Sequence, residues 1–201
     1  MMEPDQETAM AMITLPRGDV AISVNLSWYM LDDAALECLK DLPQLRALYL
    51  SHTGVTDAGL EHLKGLRQLQ KLDLGGTQVT DAGLKHLEQF QQLQELDLSG
   101  TKVTDAGLEH LKGLRQLEKL DLYDTGITDA GLEHLTGLRQ LQKLGLSGAG
   151  VSDAGLEHLK RLGQIRVLDL TCTKVKSPLD PIERKPPGLR CVGRNAGPVD
   201  R

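Results

Sequence analysis

Aromatic side chains are nearly missing from this chain. One Trp, three Tyr and one Phe make up 2% of its 201 residues. A globule closed over large rings is therefore excluded, and any core must be aliphatic. Cysteine is scarce as well. Cys38, Cys172 and Cys191 form an odd set without metal-ligand spacing, so neither a disulfide framework nor a zinc site is expected. Reduced thiols in a cytoplasmic protein are the simplest reading. No apolar run is long enough to span a bilayer. The first twenty residues carry acids early and lack a basic segment ahead of an apolar one, so neither a membrane span nor a signal peptide is expected. A large excess of one charge is also lacking. The formal net charge of −5 argues against general nucleic-acid binding. It is unevenly spread, since residues 175–201 hold six Lys/Arg against three acids, a local +3 that leaves −8 for residues 1–174.

What the chain has in abundance is repetition. Val-Thr-Asp-Ala-Gly-Leu begins at Val55, Val79 and Val103, each 24 residues after the last. Variants follow at Ile127 and Val151, and a looser copy, Leu-Asp-Asp-Ala-Ala-Leu, precedes them at Leu31. A fixed period of this length means one supersecondary unit copied and stacked. In the unit 55–78, Leu72 and Leu74 are two apart, as one face of a strand requires, with Lys71, Asp73 and Gly75 on the other. The first half has helical signals. Thr56 suits an N-cap, Asp57 the positive end of the helix dipole, and Val55 with Leu60 a hydrophobic staple. Leu60, Leu63 and Leu66 mark the buried stripe, and Gly65 reads as the helix stop.

The pattern LxxLxLxxT followed by [VI]-T-D-A-G-L resembles the leucine-rich repeat family, in the short form found in bacterial repeat proteins and in F-box-type substrate receptors. The resemblance covers about residues 31–174 as six units. It implies an α/β solenoid, curved, with a parallel sheet on the concave face and short helices on the convex face. Threonine (Thr53, Thr77, Thr101, Thr125, Thr173) stands where the family often has asparagine or cysteine, and its hydroxyl is expected to bond neighbouring loop backbone. Ala149 interrupts that column, so its unit is expected to be looser.

The two ends differ from the middle, as terminal repeats must if they are not to expose their leucines. Residues 1–20 are expected to be poorly ordered. A 24-residue shift aligns Ala21, Val24 and Leu26 with Leu45, Leu48 and Leu50, so 21–30 reads as a half-repeat cap on a repeat domain spanning 21–174. Shifting forward aligns Leu189 and Val192 with Ile165 and Leu168. The Pro-rich, basic segment 175–201 then reads as a degenerate last unit, with prolines at 178, 181, 186 and 187 replacing its helix.

The periodicity also assigns lanes across the solvent side of the sheet. One runs Ala47, Lys71, Glu95, Lys119, Lys143, Val167, and the next Asn25, Tyr49, Asp73, Asp97, Asp121, Gly145, Asp169. Strands lie about 4.8 Å apart, so three carboxylates occupy consecutive rungs, partly offset by the lysines beside them. A third lane of mostly small residues is interrupted by Tyr123, next to Asp124. Exposed tyrosines are enriched at interface hot spots. The expected contact face is therefore Tyr49, Lys71, Asp73, Glu95, Asp97, Lys119, Asp121, Tyr123 and Asp124. Trp28, just after the first strand, reads better as a lid over the first leucine layer.

Other candidates lead nowhere. His62, His86, His110, His134 and His158 form a lane on helices about 8–10 Å apart, too far for two ligands of one metal. The basic edge of Lys64, Arg67, Lys112, Arg115, Arg139 and Lys160 lacks the interleaved aromatics of a nucleic-acid surface and fits helix-end cations. Gly59, Gly83, Gly107, Gly131 and Gly155 match no phosphate-loop pattern. They are read as close packing in the turn, and Ala35 shows that a methyl is tolerated there. No nucleophile, base and acid converge. The expectation is a monomeric, non-enzymatic protein-binding module without metal or cofactor, binding another protein rather than nucleic acid or membrane. The alternative is the substrate-recognition subunit of a ubiquitin ligase, or a bacterial effector mimicking one.

Overall fold

The computed structural model describes residues 22–176 and 190–192. The segment 1–20 and the Pro-rich 177–188, on which the readings of disorder and of a missing helix fall, lie outside the described residues. Eight strands form one open sheet: β1 (Ile22–Asn25), β2 (Leu45–Tyr49), β3 (Lys71–Asp73), β4 (Glu95–Asp97), β5 (Lys119–Asp121), β6 (Lys143–Gly145), β7 (Val167–Asp169) and β8 (Arg190–Val192). Each pairs with the next in chain order and all are parallel. Parallel pairing follows because each unit crosses back through a helical segment before the next strand begins. The fold is a curved α/β solenoid with its sheet on the concave side.

Strands β3 to β7 are three residues long, and the middle residue of each points inward. Leu48, Leu72, Leu96, Leu120, Leu144 and Leu168 form one buried column and Leu50, Leu74, Leu98, Leu122, Leu146 and Leu170 the next. Phe90, the only phenylalanine, occupies the place of Leu66 and is wholly buried. The core is thus a stack of aliphatic rungs, each covered by its neighbours.

On the opposite side each unit carries a short helical segment, at Asp33–Asp41 (3₁₀), Asp57–Glu61, Asp81–Leu84, Gly107–Leu111 (3₁₀), Asp129–Leu132 and Asp153–Leu159, with 3₁₀ extensions at Lys85–Gln89 and Glu133–Gly137. Thr56, Thr80, Thr128 and Ser152 cap these turns by accepting the N–H two residues on. The neighbouring aspartates do more than favour the helix dipole. Asp57 accepts both the backbone N–H of Thr80 (2.7 Å) and its hydroxyl (2.6 Å), one unit further on. Asp33 grips Thr56, Asp81 grips Thr104, Asp105 grips Thr128 and Asp129 grips Ser152 in the same way. The Thr-Asp pair therefore links every unit to the next.

The same carboxylates explain the glycine two residues after each of them in the following unit. A Cβ at Gly59, Gly83, Gly107, Gly131 or Gly155 would collide with the preceding unit's Asp33, Asp57, Asp81, Asp105 or Asp129. The crowding comes from an adjacent unit rather than from the turn itself.

Several expectations need correction. Gly65 lies in the turn beyond a helix that has already ended at Glu61, and it does not adopt a left-handed conformation. The threonine hydroxyls of the Thr53 column donate within their own unit, to the carbonyl three residues back, at 2.6–2.7 Å. They form no ladder between units. At Ala149 the backbone bonds Gly148 N–H to Thr171 O and Ala149 N–H to Leu146 O are kept, and the methyl is buried. Leu45 pairs with Ile22, because the register shifts between Ile22 and Ser23 before Val24 meets Leu48 as expected. In β8 the partner of Leu168 is Cys191 rather than Val192, so the last step is 23 residues and not 24.

Candidate functional site

The solvent side of the sheet carries the lanes in the predicted register. Lys71 pairs with Glu95 and Glu95 with Lys119, while Tyr49, Asp73, Asp97 and Asp121 follow one another on successive strands. Around Glu95 the three strands make an ion triad, with Lys71 Nζ at 3.1 Å and Lys119 Nζ at 2.6 Å from Oε1. Partial burial alone would raise the Glu95 carboxyl, but the two ammonium groups outweigh it and hold it below the usual range. Lys71 is raised in turn, chiefly by its hydrogen bond to Glu95.

The aspartate lane has a different chemistry. Asp73 accepts the N–H of Gly75 at 2.9 Å, Asp97 that of Ser99 at 2.8 Å, Asp121 that of Tyr123 at 2.9 Å and Asp169 that of Thr171 at 2.9 Å. Asn25 does the same for Ser27 at 3.0 Å. Each side chain closes an Asx turn that ends its strand. Burial pushes the Asp73 and Asp121 carboxyls up, and repulsion from Asp97 between them adds to the rise. Gly145 interrupts this lane, and a Cβ there would come within 2.5 Å of Asp121.

These strands frame a trough of about 370 Å³. It is bordered by Tyr49, Lys71, Asp73, Glu95, Asp97, Lys119 and Asp121, all expected from the sequence. Lys143, Val167 and Asp169 extend it toward the C-terminal end, although the lanes already contained them. Tyr123 and Asp124 lie beyond the trough's border, on the loop after β5. Tyr123 is 52% exposed, and Asp124 is exposed with a left-handed backbone (φ 51°).

That left-handed conformation recurs once per unit, at Trp28, His52, Gly76, Gly100, Asp124, Gly148 and Cys172. Glycine accepts it without strain, aspartate and histidine tolerate it, and Trp28 and Cys172 are held there against their preference. The sequence reading missed this column, whose only signal was glycine at three of its seven places. It also misplaced Trp28. The indole is 72% exposed and stacks on His52, ring centroids 3.8 Å apart, so it is no lid over the leucine layer. The loop backbone turns it away from the interior.

The remaining candidates stay dispersed. His110 Nδ1 lies 2.6 Å from Glu88 of the preceding unit. Lys64, Lys112 and Lys160 pair with Glu61, Glu109 and Glu157 of the helical segment just before them rather than with terminal carbonyls. Cys38 is half-buried and Cys172 exposed, both as free thiols. Among the described residues, no helix is long and apolar enough to cross a membrane.

A family model described as a leucine-rich repeat region matches residues 24–193. No curated protein sequence matches the chain. Among solved structures it resembles an internalin (inlF) from Listeria monocytogenes, with a TM-score of 0.73 and 21% identity, over 88% of this chain and 48% of that one. It thus spans about half the length of that protein. A second internalin of the same organism (inlC2) matches with a TM-score of 0.71 and 22% identity, over 94% of this chain and 84% of the other. At these identities the likeness is one of fold.

Proposed function

This chain belongs to the leucine-rich repeat family, and from that premise we propose that it is a non-catalytic module that binds a segment of another protein on its concave sheet face. The observation that carries this reading is the trough itself. Side chains from β2 to β7 line an open channel, in register, with nothing of the described chain laid across it. Its border sets Asp73, Glu95, Asp97, Asp121 and Asp169 against Lys71, Lys119 and Lys143, a mildly acidic surface rich in acceptors. A partner presenting basic and hydrogen-bonding groups complements it. The carboxylates are already fixed by backbone N–H groups and the Glu95 triad by two lysines, so this side loses little freedom on binding. Tyr123, exposed beside the channel, supplies the apolar anchor. A monomer in a reducing, cytoplasmic setting accords with the free thiols.

The test is affinity capture with the parent and a triple variant, Tyr123→Ala with Asp97→Asn and Asp121→Asn. Asparagine keeps the Asx acceptor, as Asn25 already does, whereas lysine would break the turn that ends each strand. Loss of the captured protein with an unchanged circular dichroism spectrum is the expected result. Undiminished capture by the folded variant would move the contact to the helical side.

A further inference from the structure

Between the last two described helical segments lies a shallow, solvent-open cleft of about 510 Å³, lined by Thr136, Arg139, Arg161, Gly163 and Gln164, all but Thr136 exposed. It originates in a local transposition. Gly-Leu-Arg stands at residues 65–67, 113–115 and 137–139, but the corresponding residues 161–163 read Arg-Leu-Gly. In an unbroken array each guanidinium would follow the last at the same place in its unit. Here position 161 supplies a second guanidinium to the cleft that Arg139 borders. Position 163 loses its side chain, and a Cβ built there would meet nothing within 4 Å. The cleft is therefore left open where Arg67, Arg115 and Arg139 would lead one to expect a long side chain.

The charge in this cleft is uncompensated. Lys40, Lys64, Lys112 and Lys160 each pair with a glutamate of their own unit. Among the described residues no carboxylate lies within ion-pairing distance of Arg139 or Arg161. The Thr136 hydroxyl donates to the Glu133 carbonyl at 2.8 Å, so the donors left to the cleft are two guanidiniums and the Gln164 amide. Two planar forks and an amide call for a small anion with more than two acceptor oxygens, which a carboxylate does not offer and a tetrahedral phosphate does. We infer that this cleft binds a phosphate group, as inorganic phosphate or as a phosphomonoester. The site lies apart from the concave trough and shares no residue with it.

The experiment is a titration of the ¹⁵N-labelled full chain with inorganic phosphate, ionic strength being held constant with chloride. Saturable shifts of the Gly163 and Gln164 amides are expected. The variant Arg161→Gln changes one exposed side chain and should fold as the parent does. It is expected to bind about tenfold more weakly, having lost one charge-assisted donor group from the cleft. O-Phosphoserine provides the second arm: tighter binding than phosphate identifies the monoester as the ligand, and equal binding identifies the free ion. Shifts that never saturate, or that persist unchanged in Arg161→Gln, overturn the site.

Discussion

At Gly155 the missing side chain is imposed by Asp129, from the unit before. A Cβ there would collide with the carboxylate, which already accepts the Ser152 N–H at 2.7 Å and its hydroxyl at 2.6 Å. Burial pushes the Asp129 carboxyl up, but the bonds from Ser152 and from the Gly155 N–H prevail and hold it below its ordinary range. Its removal should therefore be felt. Asp129→Ala leaves those donors without their acceptor and is expected to cost about 2 kcal/mol, which for a chain of this size lowers Tm by roughly 4–8 °C. Gly155→Ala alone should cost about 1–3 kcal/mol by overpacking. Combined with Asp129→Ala it should cost markedly less, because the carboxylate has gone and only Leu132 Cδ1, 3.0 Å from the new Cβ, still has to give way. Strictly additive losses in thermal melts would refute the assignment. Ala35 already gave the clue, since in the first unit a methyl occupies this place. The sequence could not disclose why, because Thr and Asp are adjacent in every copy and a cap with a dipole contact accounts for both. Only stacking shows that the carboxylate's partners are 23 residues further along.

The elements of the sheet carry two carboxylate populations with opposite pH behaviour. Glu95, held low between Lys71 and Lys119, contributes stability above the unfolded carboxyl value of about 4.3 and loses it as pH falls through the folded value. Asp121, raised by burial and by Asp97, behaves in the reverse sense. Its contribution is fully present below the unfolded value of about 3.9 and is lost as pH rises through the folded value. At pH 7, then, Glu95→Gln should lower Tm and Asp121→Asn should raise it. Both differences from the parent should shrink as pH is brought down through about 4. A Glu95→Gln deficit that persists at pH 3, or an Asp121→Asn variant that is less stable at pH 7, would contradict the arrangement. The register behind this prediction was legible from the 24-residue period, which places Lys71, Glu95 and Lys119 side by side with no further information. The Asx bonds that bury Asp121 were not, because sequence spacing shows which side chains share a lane and not which of them folds back onto its own backbone. Trp28 was misread for a related reason. Its left-handed backbone sets where the ring goes, and that conformation is visible in sequence only where glycine occupies the column.

In the molecule as a whole, each unit is gripped by its neighbours through strand pairing, leucine rungs and the Asp-to-Thr bonds, so stability should approximate a sum over neighbouring pairs. Legibility fails where that sum ends: β1 shifts register at Ile22 and β8 is one residue short, because terminal units have a partner on one side only. The interior should tolerate loss of a whole unit. Deleting residues 103–126 joins Lys102 to Ile127, which holds the place of Val103 in its own unit, and removes β5 with Lys119, Asp121 and Tyr123. The shortened chain should keep a cooperative melt and a similar circular dichroism spectrum, with a lower Tm because one unit's worth of interfaces is gone. It should also lose partner capture. Deleting residues 127–150 instead removes β6 but leaves Tyr123 and the Lys71–Glu95–Lys119 triad intact, so capture should be weakened rather than abolished. If both deletions melt alike but capture equally well, the units are interchangeable for binding as well as for folding, and the contact cannot depend on the particular side chains of β5. A deletion that leaves the chain unfolded would show instead that the array is held by something other than nearest neighbours.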